Sequence, residues 1–324
     1  MERIAITMGE PGGIGPEVAL KAAASTRNVC LPLLVGDAGL FRALRGRLGI
    51  DVTLKEVSSP PEEAAPEFIA VVDTGRAVGF EVGAPTAGGA VASVDAIRKA
   101  VALALEGRVH AVVTSPISKE ALRMAGFGWP GHTEMLAELT GAGEYTMMLV
   151  GGTLRVILVT IHSSLKDVPA LITRESVART LRLAALAAEM LAIESPRIAV
   201  AGLNPHAGEA GMFGHEENDI IAPAVEDARR EGLPVEGPYP PDTVYFKAAR
   251  GAFDIVVSMY HDQGLIPLKL LAFESGVNVT VGLPIIRTSP DHGTAYEIAG
   301  KGTANPSSTI EAVKLALRLK LPGR

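Results

Sequence analysis

Cysteine and aromatic residues are scarce in this sequence. Of its 324 residues, one is cysteine and 4% are aromatic. The single thiol, Cys30, excludes a disulfide framework within the chain and is typical of a reducing compartment, so we expect a cytoplasmic protein. Cys30 lies in the apolar stretch NVCLPLLVG. We therefore expect a buried thiol without a chemical role.

An excess of positive charge and long apolar runs are also missing. The chain has 30 Lys and Arg against 36 Asp and Glu, and a net charge of −6. Without a basic tract, a nucleic acid partner is not expected. No apolar run approaches the roughly 20 residues that span a bilayer, so we expect no membrane segment. An anionic substrate would have to be bound by local positive groups.

Short β-branched runs alternate with Ala- and Leu-rich stretches of helical period over most of the chain. This alternation predicts an α/β fold with largely parallel sheets, and the length allows two domains. The predicted strands are 4–8, 31–35, 68–72, 111–114, 147–150, 156–161, 198–201, 255–259 and 277–281, and the clearest predicted helices are 91–105, 174–192 and 216–230.

The common phosphate-binding fingerprints are absent. The glycine-rich stretch MGEPGGIGPEV, residues 8–18, lacks the Gly-Lys-Ser/Thr ending of a Walker A loop, and Pro16 spoils the match to a dinucleotide G-x-G-x-x-G motif. A tight turn with Pro16 at the start of a helix explains most of its composition.

Three histidines follow three predicted strands. His162 ends RVILVTIH, His206 follows RIAVAGLNPH, and His261 ends DIVVSMYH. Ligands of open α/β sheets bind beyond the carboxyl ends of the strands, so the three imidazoles are expected at one edge. Three histidines with an open fourth position are typical of a catalytic metal site, although one such histidine alone is more often structural.

Several other residues are candidates for binding an anion. His132 and Thr133 stand at a predicted helix start, where they either hold a phosphate or serve as an ordinary N-cap. Lys269, Asn278 and Arg287 lie among the last strands. Arg287 is the strongest of these because it follows the apolar run VTVGLPII, and a buried arginine usually has an anionic partner.

The chain resembles the 4-hydroxythreonine-4-phosphate dehydrogenase family of vitamin B6 biosynthesis over essentially its whole length. The motifs that carry the resemblance are MGEPGGIGPEV, TSPISKEAL, GHTE, LNPHAGE, GPYPPDT, MYHDQG and GLPIIRTSPDHGTAYEIAGKG. The segment DHGTAYEIAGKGTANPSS is also similar to the cofactor loop of isopropylmalate and isocitrate dehydrogenases.

The resemblance implies an isocitrate/isopropylmalate dehydrogenase-like α/β fold. In that fold, two α/β/α domains enclose an active-site cleft. We expect residues 1–128 with 272–324 to form the domain that carries the cofactor loop. Residues 129–271 are expected to form a second α/β domain with the metal ligands and the interface of a homodimer whose active site is shared between subunits.

The resemblance also implies roles for individual residues. It makes His162, His206 and His261 the ligands of one divalent metal (Zn, Co or Mg), and its substrate contacts are His132, Thr133, Lys269, Asn278 and Arg287. The catalytic candidates are Asp242, Asp262 and Lys269. The expected contacts to NAD or NADP are Asp291, His292, Gly293, Thr294, Ala299, Gly300 and Asn305.

The implied activity is metal- and NAD(P)-dependent oxidation of 4-phosphohydroxy-L-threonine to 2-amino-3-oxo-4-phosphooxybutanoate. This β-keto acid then loses carbon dioxide to give 3-amino-2-oxopropyl phosphate. Two alternatives stay open. A second branch of the family oxidises D-erythronate or D-threonate 4-phosphate, and a metal site beside phosphate-binding groups would also suit a phosphate ester hydrolase.

Overall fold

A computed structural model describes residues 1–61 and 67–323 of the chain. It divides into two compact units. The first unit comprises Met1–Ala142 and Leu283–Arg318, and the second comprises Gly143–Gly282 and Leu319–Arg324. These limits lie at residues 142 and 282, whereas the domain limits expected from the resemblance are 128 and 271.

The first unit alternates strands and helices. Its strands are β1 (Arg3–Thr7), β2 (Leu31–Gly36), β3 (Thr53–Glu56), β4 (Phe68–Asp73), β5 (Ala111–Val113) and β12 (Ile286–Pro290). Its helices are α1 (Gly15–Thr26), α2 (Ala38–Leu48), α3 (Ala87–Leu105), α4 (Lys119–Met124), α5 (His132–Thr140) and α11 (Ser307–Arg318). These strands pair in the order β3-β4-β2-β1-β5-β12, and every pairing is parallel.

The second unit also has helices between its strands. The strands are β6 (Thr146–Gly151), β7 (Leu154–Leu158), β8 (Ile198–Ala201), β9 (Val235–Tyr239), β10 (Ile255–Ser258) and β11 (Val277–Val281). The helices are α6 (Val168–Leu171), α7 (Arg174–Met190), α8 (Ala222–Arg230), α9 (Pro241–Ala249) and α10 (His261–Ala272). The strand order is β11-β6-β7-β10-β8-β9, with β6 antiparallel to both neighbours and the remaining pairs parallel.

The buried strands are largely aliphatic. In β1, Ile4, Ala5 and Ile6 are 0% exposed, and in β10, Ile255, Val256 and Val257 are 0% exposed. Such continuous apolar runs are typical of parallel strands that have both faces covered. Every strand that the sequence predicts is present, and most have ends shifted by one to three residues. The strands β3, β9 and β12 are not among the predicted ones.

Parallel strands bring their carboxyl ends to one edge of each sheet, and polar residues follow several of these ends. β5 is followed by Thr114 and Ser115, and β7, β8 and β10 each lead into a segment that carries a histidine. Of the described helices, none is both long enough and apolar enough to cross a lipid bilayer.

Candidate active site

Arg287 is a buried cation on β12 of the first unit. It lies in β12 beside Val112 of β5 and is 1% exposed. Its Nε and Nη2 donate hydrogen bonds to the Thr114 hydroxyl at 3.1 and 2.7 Å. Burial lowers the pKa of Arg287 to about 9, and the nearby carboxylate of Glu134 opposes that effect. The guanidinium therefore keeps its charge at neutral pH.

His132 lies close to this guanidinium. Burial lowers the pKa of His132 well below 6.5, the charge of Arg287 lowers it further, and a hydrogen bond to the Ser115 backbone opposes both. His132 is therefore neutral at pH 7. Its Nε2 is buried and has no hydrogen-bond partner among the described residues. The bond to the Ser115 backbone uses the one N–H of the neutral imidazole, so Nε2 is left as an acceptor for an O–H group of a ligand beside the buried cation.

The start of α5 distinguishes between the two interpretations of Thr133. Its N-cap is Gly131, which makes no side-chain capping hydrogen bond, and helical residues begin at His132. Thr133 is therefore in the first turn and is not the N-cap. It is 7% exposed. By contrast, Ser118 is the N-cap of α4, since its hydroxyl accepts from the Ala121 N–H at 3.1 Å.

The segment proposed to bind the dinucleotide lies between β12 and α11. It includes a single 3₁₀ turn, Tyr296–Ile298, and Ala295 before this turn has φ 42°, in the left-handed region. The Thr294 carbonyl accepts from the Ile14 N–H at 2.9 Å, so the segment contacts the start of α1. His292 Nε2 is buried without a partner among the described residues, which fits a segment that binds a polar ligand.

Glu10, in the glycine-rich turn before α1, is a buried carboxyl group that the sequence analysis does not single out. It is 0% exposed. Burial raises its pKa to about 7, while a hydrogen bond from the Gly12 N–H to Oε1 at 3.3 Å has the opposite effect. The burial of Glu10 could not be predicted from the sequence, because Glu10 stands among glycine and proline residues and not inside an apolar run.

In the second unit, the strands that precede the three histidines are neighbours. β10 pairs in parallel with β7 on one side and β8 on the other, so their carboxyl ends share an edge. The rings of His162 and His261 lie 5.7 Å apart between centroids. Both line a surface cavity of about 510 Å³, together with Ile161, Tyr260 and Asp262.

His261, the first residue of α10, is oriented by the residue that follows it. Its Nδ1 donates a hydrogen bond to Asp262 Oδ1 at 2.7 Å, because a carboxylate can only accept. In the neutral imidazole this bond places the proton on Nδ1 and leaves the lone pair on Nε2. A histidine whose second nitrogen is bonded to a carboxylate is the usual arrangement of a metal ligand.

His206 lies in an unusual turn after β8. Residues 206–210 all have positive φ, between 43° and 82°, and four of them are not glycine. Such left-handed conformations each cost about 1–2 kcal/mol and cluster at functional sites. Glu217 stabilises the start of this segment, since its Oε1 accepts from the N–H groups of Leu203 and Asn204, both at 2.7 Å. Glu217 is 2% exposed.

The three histidines do not form a complete site within the described part of one chain. Within residues 1–61 and 67–323, no three His, Cys, Asp or Glu side chains form a group that could hold a metal ion. The structure brings His162 and His261 together, but His206 is not part of a group with them. The donors themselves suit a divalent metal that accepts imidazole, such as zinc or cobalt, better than magnesium.

The remaining predicted residues of the second unit are distributed over three elements. Lys269 is in the last turn of α10, and Asp242 is exposed in the first turn of α9. Asn278 is in β11, and its Oδ1 is buried without a partner among the described residues. An orphaned amide oxygen of this kind is a candidate acceptor for a ligand.

Comparison with known proteins identifies the family. A family model described as "Pyridoxal phosphate biosynthetic protein PdxA" matches residues 28–316. The chain belongs to the PdxA family. It is 48% identical over 322 residues to 4-hydroxythreonine-4-phosphate dehydrogenase from Desulfosudis oleivorans, an alignment that covers 97% of this chain and 95% of the relative.

Two further PdxA relatives bear on fold and activity. A crystal structure of 4-hydroxythreonine-4-phosphate dehydrogenase from Klebsiella pneumoniae superposes with a TM-score of 0.91 at 42% identity, covering 98% of this chain and 99% of that one. The predicted fold class is thereby confirmed. D-threonate 4-phosphate dehydrogenase from Cupriavidus necator is 46% identical over 321 residues, covering 98% of this chain and 96% of the relative.

Proposed function

We propose that this PdxA-family chain is an NAD(P)- and metal-dependent 4-hydroxythreonine-4-phosphate dehydrogenase. It would oxidise 4-phosphohydroxy-L-threonine to 2-amino-3-oxo-4-phosphooxybutanoate, which loses carbon dioxide to give 3-amino-2-oxopropyl phosphate. The relatives with that activity are similar over nearly the full chain. The observation in the structure that carries the proposal is the buried guanidinium of Arg287, which suits the phosphate, with the buried acceptor Nε2 of His132 beside it.

The proposed phosphate contacts are Arg287, His132 and Thr133. Arg287 supplies a fixed positive charge in a chain of net charge −6, and Thr114 holds its guanidinium in place. The Thr133 hydroxyl would donate a hydrogen bond to the phosphate, and His132 Nε2 would accept one from a protonated phosphate oxygen or a substrate hydroxyl. Because the site is buried, each of these contacts is stronger than it would be in water. Lys269 and Asn278 are the proposed substrate contacts of the second unit.

We propose His162, His206 and His261 as the ligands of the divalent metal, which the family shares between two subunits. Bound there, the cation would lower the pKa of the substrate hydroxyl, and the dinucleotide would accept the hydride. Asp262 keeps the His261 imidazole in the tautomer that exposes Nε2. Asp242 and Lys269 are the candidate acceptors of the hydroxyl proton, with Asp262 as the third.

The proposed dinucleotide contacts are those that the sequence indicates, namely Asp291, His292, Gly293, Thr294, Ala299, Gly300 and Asn305. The buried His292 Nε2 of this segment supplies a polar atom for the ligand. NAD and NADP are both compatible with these residues.

A homodimer is the proposed active form, and α10 is the proposed contact surface. Ile266, Leu270 and Phe273 are 59%, 82% and 78% exposed. Residues three and four positions apart share one helix face, so these three form an apolar stripe. Asp262 and Lys269 lie on or beside the same stripe. A partner that covers it would thus approach the proposed catalytic residues. We also propose a cytoplasmic location. The single cysteine, Cys30, is a free and buried thiol, which suits a reducing compartment.

A D-threonate or D-erythronate 4-phosphate dehydrogenase is the second candidate, because a relative with D-threonate 4-phosphate activity is 46% identical. The deciding experiment measures kcat/KM for 4-phosphohydroxy-L-threonine, D-threonate 4-phosphate and D-erythronate 4-phosphate with NAD and NADP. We expect the highest value for the first substrate. A higher value for either sugar acid assigns the chain to the other branch. Release of phosphate without reduced nicotinamide would indicate the hydrolase.

A further inference from the structure

The ammonium group of Lys21, in α1, binds three oxygen atoms. Its Nζ donates to Glu17 Oε1 at 2.7 Å, to the Ala304 carbonyl at 2.8 Å and to the Gly302 carbonyl at 3.0 Å. An ammonium has three N–H donors, so these contacts use all of them. Two of the acceptors belong to the segment that we propose binds the dinucleotide.

Glu17 completes the contact from the preceding helical turn. Its Oε1 also accepts from the Ala304 N–H at 2.8 Å, so Ala304 is held through both its backbone groups. The side chain of Glu17 is 3% exposed and that of Lys21 is 21% exposed. Such a pair differs from a surface ion pair because removal of one partner leaves a buried charge unpaired.

The same helix also contacts the beginning of the segment. The Ile14 N–H donates to the Thr294 carbonyl at 2.9 Å. Ile14, Val18 and Ala304 form a buried apolar cluster, and Ala295 and Ile298 pack against it. The start of α1 thus holds residues 294–304 near both of their ends.

This attachment is needed because the segment has little structure of its own. Its regular structure is one 3₁₀ turn, and Gly300 and Gly302 have φ of 73° and 77°, a region that favours glycine. Thr303 and Asn305, on either side of the anchored Ala304, are exposed. Fixing the carbonyls of Gly302 and Ala304 therefore fixes the backbone that presents these two side chains.

We propose that Lys21 and Glu17 are positioning residues that hold residues 300–305 in the conformation that binds the dinucleotide. This inference rests on the proposed function. Neither side chain would touch the ligand, since Lys21 uses all three of its N–H donors and the side chain of Glu17 is 3% exposed.

The test compares Lys21→Met with wild type in three measurements. These are the Kd of NAD and NADP by calorimetry, the separate KM values of dinucleotide and phosphorylated substrate, and hydrogen exchange of the amides of residues 301–305. If the binding-competent fraction falls to a tenth, the dinucleotide Kd and KM rise roughly tenfold. We expect that rise, faster exchange in the segment, and an unchanged KM for the phosphorylated substrate.

Two further variants sharpen the test. Lys314→Met removes a lysine that pairs with Glu311 at 2.8 Å on α11 and is 52% exposed, so it should leave all three measurements unchanged. The double variant Glu17→Gln/Lys21→Met removes the buried carboxylate charge as well. If Lys21→Met does not fold, the double variant is measured in its place, and we expect the same rise in the Kd and KM of the dinucleotide.

The possible results separate the two proposals. Wild-type dinucleotide affinity in Lys21→Met or the double variant would overturn the positioning role and leave the proposed function intact. Equal losses of dinucleotide affinity, substrate affinity and thermal stability would also overturn it, because they indicate a merely structural pair. A wild-type protein that binds neither NAD nor NADP would overturn the proposed function and this inference together.

Discussion

The guanidinium of Arg287 and the hydroxyl of Thr114 are joined by two hydrogen bonds, at 3.1 and 2.7 Å. The two residues stand on adjacent parallel strands, where Thr114 directly follows β5. The Thr114 hydroxyl fixes the orientation of the buried guanidinium without adding a negative charge. This relationship is the basis of the proposed phosphate site.

Substitution of Arg287 should reduce the preference for phosphorylated substrate. A charge-assisted hydrogen bond contributes about 1.5–3 kcal/mol, so Arg287→Ala should lower kcat/KM for the phosphorylated alcohol roughly tenfold to a hundredfold. Arg287→Lys should also lower it, because an ammonium cannot reproduce two-pronged guanidinium contacts. The measurement is the ratio of kcat/KM for phosphorylated and dephosphorylated alcohols.

The matched control is Arg123→Ala, which removes an exposed arginine from the end of α4. It should leave the ratio at its wild-type value. If Arg287→Ala leaves the ratio unchanged too, Arg287 does not bind the phosphate.

Loss of Glu217 should weaken metal binding. Its carboxylate accepts from the backbone of Leu203 and Asn204 and from Asn204 Nδ2, and so supports the left-handed turn that carries His206. Residues that orient metal ligands typically contribute 10- to 100-fold in affinity, so we expect a decrease of about that size in Glu217→Ala. Competition with a chromophoric chelator measures the Kd of zinc or cobalt.

Glu226→Gln is the control, because Glu226 is exposed on the helix that follows, α8. Glu217→Gln keeps one acceptor oxygen and should lose less affinity than Glu217→Ala. Unchanged metal affinity in Glu217→Ala, with folding verified by circular dichroism, would show that the turn does not depend on this carboxylate.

Glu10 should make the protein less stable as the pH rises from about 4.5 to about 7. Its pKa is about 7 in the folded chain against an ordinary value of 4.5, so the folded state binds the extra proton in that interval. Stability therefore falls with rising pH and stays reduced above pH 7, by on the order of 3 kcal/mol. Glu10→Gln should remove this decrease and be the more stable protein at pH 8.

Urea unfolding at pH 4.5 and pH 8 checks this prediction. Glu106→Gln serves as the control, since the Glu106 side chain is 57% exposed. A Glu10→Gln protein with the same pH dependence as wild type would mean that Glu10 is ionised in the fold at an ordinary pKa.

A charge in the apolar stripe of α10 should dissociate the proposed homodimer. Leu270→Glu places a carboxylate at a position that is 82% exposed in the single chain and covered in the proposed dimer. We expect light scattering to show monomers at micromolar concentration, together with loss of turnover. Val91→Glu, at a position of 45% exposure on α3, should remain dimeric. A wild-type protein that is fully active as a monomer would contradict the proposal.

The aliphatic strands were predictable because burial on both faces gives an unbroken apolar run. The predicted strands 198–201 and 277–281 agree with β8 and β11 to the residue. The strands β3 and β9 were not predicted because most of their residues are exposed or half-buried, so these strands lack an unbroken apolar run. The strand β12 was not predicted because four of its five residues, Arg287 to Pro290, are not aliphatic although all of them are buried.

The site was predictable to the extent that it follows strand ends. His162 and His261 are adjacent because their strands are neighbours, and that expectation needed only the parallel alternation of the chain. Neither Thr114 nor Glu217 was predictable, since their roles depend on contacts with residues 173 and 13 or 14 positions away. The left-handed turn at His206 could not be predicted either. Glycine is the usual sign of such a backbone, and four of the five residues in this turn are not glycine.

The most direct test of the proposed activity is the stoichiometry of a single incubation. The protein is mixed with 4-phosphohydroxy-L-threonine, zinc or cobalt, and NAD or NADP, and three products are measured together: reduced nicotinamide, carbon dioxide and inorganic phosphate. The account predicts equal amounts of reduced nicotinamide and carbon dioxide, and no phosphate. Phosphate release without nicotinamide reduction, or no turnover of this substrate under any of these conditions, would contradict it.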